Sequence, residues 1–385
     1  MRHRPWVIAA FGAVCLMAVP VRAQIVVSAN DGKVRTLDGA TAPSPSPQPD
    51  SVTIIDLNVT PPKILGELRV PVSVVGPPQS VAIAPDESIA LVTAAMRIDP
   101  ADPTKLIPDD KVTVIDLKAS PSAVIATLQA GRGASGVSIN RAGTLALVAN
   151  RTDGTVSVFT ISGKTVTAAG KVDLGAPESG PSHVVFTPDG RTALVTRNND
   201  HLISVLSVTG TKVENTKRDL AAGLKPYSIE ISRAGDVAVV GHTGSGATGG
   251  VDTVALIDLT MNPPRVVDQV SAGPTVEGVA LSPDGQSVAA TVMNGSNSPA
   301  SSPFFHDFGV LRILGVSNKR LVPLTEAKVG HWCQGAAWSR DSRTVIVQCM
   351  VEREILVFRF DGKRLTRAPS IKINGAPAGI RSSDR

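Results

Sequence analysis

Residues 180–206, GPSHVVFTPDGRTALVTRNNDHLISVL, recur in looser form along almost the whole chain, and this repetition constrains the fold more than any other feature. The stretch reads as strand, tight turn, strand, polar loop, strand. Pro188-Asp189-Gly190 breaks two apolar runs where a hairpin turn belongs. Copies begin at Pro77, Gly133, Lys225, Thr275 and Trp332, at spacings of about 45–57 residues, the length of one four-stranded propeller blade. The turns read Pro85-Asp86-Glu87, Arg141-Ala142-Gly143, Pro188-Asp189-Gly190, Arg233-Ala234-Gly235, Pro283-Asp284-Gly285 and Arg340-Asp341-Ser342. Most end in glycine, as a positive φ there favours. A less regular fourth strand lies between units, and helical periodicity is almost absent.

Six complete units leave fragments at both ends. The C-terminus supplies outer strands and one innermost strand, then stops. The N-terminus starts with the missing kind of strand, IVVSAN, followed by SVTIIDL. The two ends therefore complete a seventh blade together, which leaves no open sheet edge. The expected fold is all-β: a seven-bladed propeller over residues 24–385, closed by terminal strands that share one blade. Residues 42–49, rich in Pro and Ser, are expected to form a mobile exposed loop.

Residues 1–23 carry a basic start, an apolar run from Trp6 to Val19 and a small-x-small exit at Val21-Arg22-Ala23. That pattern reads as an export signal cleaved after Ala23, with a periplasmic or secreted product and no stable membrane anchor. Removing Arg2, Arg4 and Arg22 lowers the formal charge from +5 to +2. No basic block with interleaved aromatics remains, so nucleic acid is not an expected partner. A monomer is expected. Two cysteines survive, Cys333 and Cys349. Counting outward from the turn between Ser339 and Thr344 brings them almost opposite one another, and an oxidising compartment makes them a disulfide candidate.

The PDG turns, ALVT-type strands and VIDL strands resemble the YVTN-type β-propeller repeat. Residues 180–190 are similar, more narrowly, to lactonase-type seven-bladed propellers related to 6-phosphogluconolactonase, which carry GPRHxxFxPDG and then a strand ending in Asn-Glu. Gly180, Pro181, His183, Phe186, Pro188, Asp189 and Gly190 match; Ser182 takes the place of the Arg, and Arg197-Asn198 align with the Asn-Glu. The resemblance implies a site where loops at one end of the ring form a mouth.

Aligning the units places Gln79, Ser135, Ser182, Tyr227, Glu277, Gln334 and Ala378 at the start of the innermost strands, on that face. Asn150, Arg197, His242 and Cys349 stand at second-strand ends on the same face. The first expectation is a propeller that binds a small molecule or protein at this mouth without chemistry, with Tyr227, His242, His331 and Gln334 as contacts. The alternative is a lactonase-like hydrolase with His183 and Glu277 as acid–base groups and Arg197 on the oxyanion. All five histidines beyond the leader map at or near this face. No metal or other cofactor is expected, since no His-x-His or His-x3-His pair occurs. No G-x-S-x-G elbow is present. Three long loops, 97–110, 242–252 and 293–308, open toward the mouth; the last carries Phe304-Phe305-His306, either a cap or a contact for a partner or apolar ligand.

Overall fold

The computed structural model describes residues 23–37, 39–246 and 248–383. The leader expected over residues 1–23 falls outside them except for its last residue. Seven four-stranded antiparallel sheets form a ring of seven blades. Blade 1 orders its strands, from the axis outward, as Ala376–Ser382, Ile25–Asp31, Ser51–Asp56 and Lys63–Arg69, so the C-terminal strand is innermost and the N-terminal strand lies beside it. Blades 2 to 7 follow in chain order, each with its first strand innermost.

The sequence pattern follows from where each strand sits. Second strands such as Leu145–Asn150 and Thr344–Cys349 are buried at every position. Their alternate side chains enter the interfaces with the two flanking blades: Leu147 packs with Val184 and Val195 of blade 4, and Val148 with Leu91 of blade 2. A strand covered on both faces reads as an unbroken apolar run. Outermost strands such as Ala123–Gln129 are largely exposed and therefore irregular in sequence.

The repeated turn has one geometry. Glu87, Gly143, Gly190, Gly235, Gly285 and Ser342 all have φ between 56° and 75°. Each donates its N–H to the residue three before it, for example Gly190 to Thr187 and Ser342 to Ser339. Glu87 and Ser342 thus take the left-handed conformation that glycine takes in the other four.

Two expected loops are partly strand. The hairpin Val34–Leu37/Ala40–Pro43 takes in the start of the stretch expected to be loop at 42–49, and only 44–49 run on without regular structure. In blade 2, Met96, Arg97 and Ile98 pair with Pro108, Ile107 and Leu106, so most of 97–110 is a protruding hairpin. Backbone pairing there simply continues past the edge of the blade.

Cys333 and Cys349 face each other in the register of blade 7 and form a disulfide, with Cα atoms 4.0 Å apart. Peptide mapping of the non-reduced protein should return a Cys333–Cys349 cross-linked peptide; free thiols at both positions would contradict it. The bond closes a sequence separation of 16. Its removal in a Cys333→Ala/Cys349→Ala variant is expected to cost about 3 kcal/mol in denaturant unfolding, the entropy of a loop that size.

Candidate functional site at the channel mouth

Two consecutive residues at the end of each second strand decide what reaches the mouth. The first turns back into its own blade. Asn150 Nδ2 donates to Thr155 Oγ1 (2.9 Å) and Ser157 Oγ (3.0 Å). Arg197 donates to Ser204 Oγ (3.2 Å) and pairs with Asp219 (3.1 Å) and Asp200. His242 Nδ1 lies 2.9 Å from the Thr253 carbonyl, and Cys349 is in the disulfide. The following residue points the other way, as strand alternation requires. Arg151 Nη1 donates to Ser182 Oγ at 2.6 Å and its Nη2 to Asn198 Oδ1 at 3.1 Å. Asn198 Nδ2 is oriented in turn by the Lys225 carbonyl and Thr243 Oγ1, both at 3.3 Å. The mouth is therefore built from Arg151, Asn198 and Thr243, one residue beyond the positions that the alignment picked out.

Arg151 reaches two of those innermost-strand leading residues. Its guanidinium carbon lies 5.4 Å from the centre of the Tyr227 ring, a cation–π distance. Burial, and the nearby Glu277 carboxylate, hold the Tyr227 phenol well above its ordinary pKa, while Arg151 and the Gly76 N–H, which donates to the phenol oxygen, act in the opposite sense. Tyr227 thus remains a hydrogen-bond donor throughout the neutral range. Among the described residues, Glu277 Oε2 is buried with no hydrogen-bond partner. Burial pushes the Glu277 carboxyl up to about 7 against the pull of Arg151. A guanidinium, a protonated phenol and a carboxyl poised near neutrality thus come from blades 3, 5 and 6 to one place. Among the described residues, no carboxylate lies within ion-pair distance of Arg151, whose bonded partners Ser182 and Asn198 are neutral.

The other expected site residues lie elsewhere. His183 is buried against Gly136 of blade 3, where an added Cβ would lie 2.7 Å from the ring. Burial and the charge of Arg381 push its imidazole down to about 3, although its hydrogen bond to the Ile229 backbone favours protonation. It is a neutral packing group. Arg197 serves the interior of blade 4. His242 is buried within blade 5, its pKa lowered by that burial. Gln334 is buried and donates to the Val74 carbonyl at 3.3 Å.

His331 is held on the rim between two acids, Nδ1 2.7 Å from Glu352 and Nε2 2.9 Å from Asp307, with Phe305 of loop 293–308 stacked beside it. Partial burial opposes its protonation, but the two carboxylates outweigh burial and raise its pKa. The clamp is therefore complete below the ordinary histidine pKa and weakens as pH rises through the raised folded value. Limited proteolysis within 299–306 should accelerate from pH 6 to pH 8.5, and His331→Gln should cut fast at both; equal rates for the wild type at the two pH values would contradict the clamp. Among the described residues, no group of three or more His, Cys, Asp or Glu is placed to hold a metal ion.

Residues 111–229 match the family described as lactonase, 7-bladed beta-propeller. That span holds Arg151, Ser182, Asn198 and Tyr227 and ends before Glu277. No curated protein matches the sequence significantly. Among solved structures, the periplasmic gluconolactonase PpgL of Pseudomonas aeruginosa is 16% identical, with TM-score 0.67, over 94% of this chain and 99% of that one. A candidate 6-phosphogluconolactonase from Bacteroides uniformis is 15% identical, with TM-score 0.71 over the same shares. Hydrazine synthase from Kuenenia stuttgartiensis is 17% identical, with TM-score 0.60, over 82% and 92%. At these identities the likeness is one of fold, and the three descriptions differ in chemistry.

Proposed function

We propose that the mouth hydrolyses a small lactone. The observation that carries this reading is the convergence of Arg151, Tyr227 and Glu277, with Glu277 Oε2 buried, unpartnered and its carboxyl poised near neutrality. In this reading Glu277 takes a proton from water as the water oxygen bonds to the lactone carbonyl carbon. Arg151 and the Tyr227 hydroxyl stabilise the oxyanion that forms. When the ring C–O bond breaks, Glu277 returns its proton to the leaving alkoxide and the product is a hydroxy acid. Ser182 and Asn198 hold the guanidinium in place. Arg151, bonded to Ser182, supplies the cation that the resembled pattern carries at the Ser182 position. The match over residues 111–229 and the gluconolactonase description of the Pseudomonas structure agree with a lactone substrate.

Export belongs to the same reading: the leader pattern, the Cys333–Cys349 bond and the periplasmic description of that structure point the same way. A panel of five- and six-membered aldonolactones, followed by acid release in a pH-stat, tests the proposal. Turnover above spontaneous hydrolysis is expected, and its absence across the panel would sink the reading.

A further inference from the structure

The face opposite the mouth holds a cavity of about 930 Å³, bounded by the turn ends of blades 2 to 5. Its volume lies in the range of sites for small organic ligands. The wall is apolar where the innermost strands end, at Ile83, Ile139, Phe186 and Ile231. The cavity is one-sided for a structural reason. In blade 7 the corresponding position is Trp338, which is buried, packs edge-on against Phe360 at 5.7 Å and donates its indole N–H to the Ala280 carbonyl of blade 6 at 3.0 Å. That indole fills the space between blades 6 and 7 and leaves the half beside blades 2 to 5 open. At the channel end of the cavity, the buried Glu230 of blade 5 is joined to Arg381 of blade 1 in an ion pair across the ring.

The first residue of the repeated turn alternates along the sequence: Pro85, Arg141, Pro188, Arg233, Pro283, Arg340. Three of these six are cations, and their neighbourhoods differ. Arg340 faces Glu87 at 3.8 Å. Arg141 and Arg233 stand on the cavity rim, one blade to either side of Pro188. Among the described residues, no carboxylate lies within ion-pair distance of either. Two guanidinium forks with no carboxylate partner among the described residues, above an apolar wall, are complementary to a molecule with an apolar body and one planar anionic end.

We infer that this cavity is a second binding site, for an amphiphilic carboxylate whose chain lies on Ile83, Ile139, Phe186 and Ile231 and whose carboxylate lies between Arg141 and Arg233. The site is independent of the chemistry at the mouth. Gln79 separates the two: its Nε2 crosses from blade 2 to Ser228 Oγ of blade 5 (2.5 Å) and the Val279 carbonyl of blade 6 (3.3 Å).

Isothermal titration calorimetry with sodium octanoate, octan-1-ol and inorganic phosphate tests the inference on the full mature chain. Octanoate is expected to bind saturably at one site, more tightly than octan-1-ol, while phosphate fails to compete. Arg141→Ala/Arg233→Ala removes two exposed turn side chains and should weaken octanoate at least ten-fold while leaving octan-1-ol unchanged. Ile139→Trp, which fills the cavity, should abolish binding of both. Glu277→Gln should bind octanoate like the wild type, which keeps this test distinct from that of the mouth. Absence of saturable octanoate binding overturns the inference, as does equal binding by the double arginine variant. Loss of binding in Arg151→Ala instead would place the anion at the mouth and overturn it too, and phosphate competing as well as octanoate would remove the case for an apolar body.

Discussion

Glu277→Gln is expected to lower the rate of lactone opening by about 10²–10⁴-fold, the usual contribution of a positioned general base. Glutamine keeps the shape of the side chain and loses only the ability to accept the proton. Because the carboxylate is the working form, kcat/KM of the wild type should rise with pH and level off above about 7, where burial has placed this group. The variant should lose that inflection along with its activity. Arg151→Lys should also be impaired, since an ammonium lacks the planar fork whose two nitrogens bond Ser182 and Asn198 while the guanidinium lies over the Tyr227 ring. Stability should move the opposite way. The folded pKa lies above the unfolded one, so stability falls as pH rises from about 4.5 through about 7. At pH 8 the native state carries a desolvated carboxylate that the unfolded chain would hydrate, at a cost on the order of 3 kcal/mol. Glu277→Gln should therefore melt higher than the wild type at pH 8 and nearly level with it at pH 4. A variant that turns over lactone at the wild-type rate, with the wild-type pH profile, would exclude Glu277 as the base.

Removal of residues 375–385 is expected to abolish cooperative folding. The strand Ala376–Ser382 pairs with Ile25–Asp31 along its length, from Val26↔Ser382 to Asp31↔Ala376. It also supplies contacts that no other segment can replace. The Ile380 N–H donates to the Pro78 carbonyl of blade 2, Gln348 of blade 7 donates to the Gly379 carbonyl, and Ile380 packs in the cluster between blades 7 and 1. Without the strand, Ile25–Asp31 becomes an exposed, apolar sheet edge in the centre of the ring, the kind of edge that recruits other chains. The truncated chain should aggregate or show a broad, non-cooperative thermal transition. Ile380→Ala provides the milder case, with an expected loss of about 2–5 kcal/mol in a ring that still closes. A truncated protein with the wild-type midpoint and slope would show that blade 1 does not depend on its innermost strand.

The ring, its blade number and its closure are legible because they rest on features the chain repeats: a positive-φ turn, a doubly buried second strand and complementary ends. The mouth is legible only in part. Tyr227 and Glu277 come out of the repeat alignment because they lead innermost strands. Arg151 does not, for a reason of one residue. Blade 3 ends its second strand with Asn150-Arg151 and blade 4 with Arg197-Asn198, so the same two residue types appear in opposite order. Strand alternation sends the first of each pair inward and the second to the mouth. The cation of blade 4 is therefore spent on Asp200, Asp219 and Ser204, while that of blade 3 faces the channel. Alternation counted from the paired register, Pro181↔Arg197 and Ala134↔Asn150, carries that signal, whereas residue type alone does not. The histidines mislead in the same way. His183 and His242 hold the positions that the alignment picks out, but both side chains are buried away from the mouth and neutral, and a histidine's chemistry depends on solvation that sequence does not display.

The crossing of the axis by Gln79 has a kinetic corollary. With Pro78 packed near Gly278 and Gly335 and the Gln79 amide bonded to blades 5 and 6, side chains cross the axis between the mouth and the opposite face. In the proposed reaction at the mouth, departing product and arriving substrate therefore share the opening on that face. The hydroxy-acid product of that reaction leaves past the Arg151 charge and competes there with the next molecule, so product inhibition relieved by salt is the expected kinetic signature.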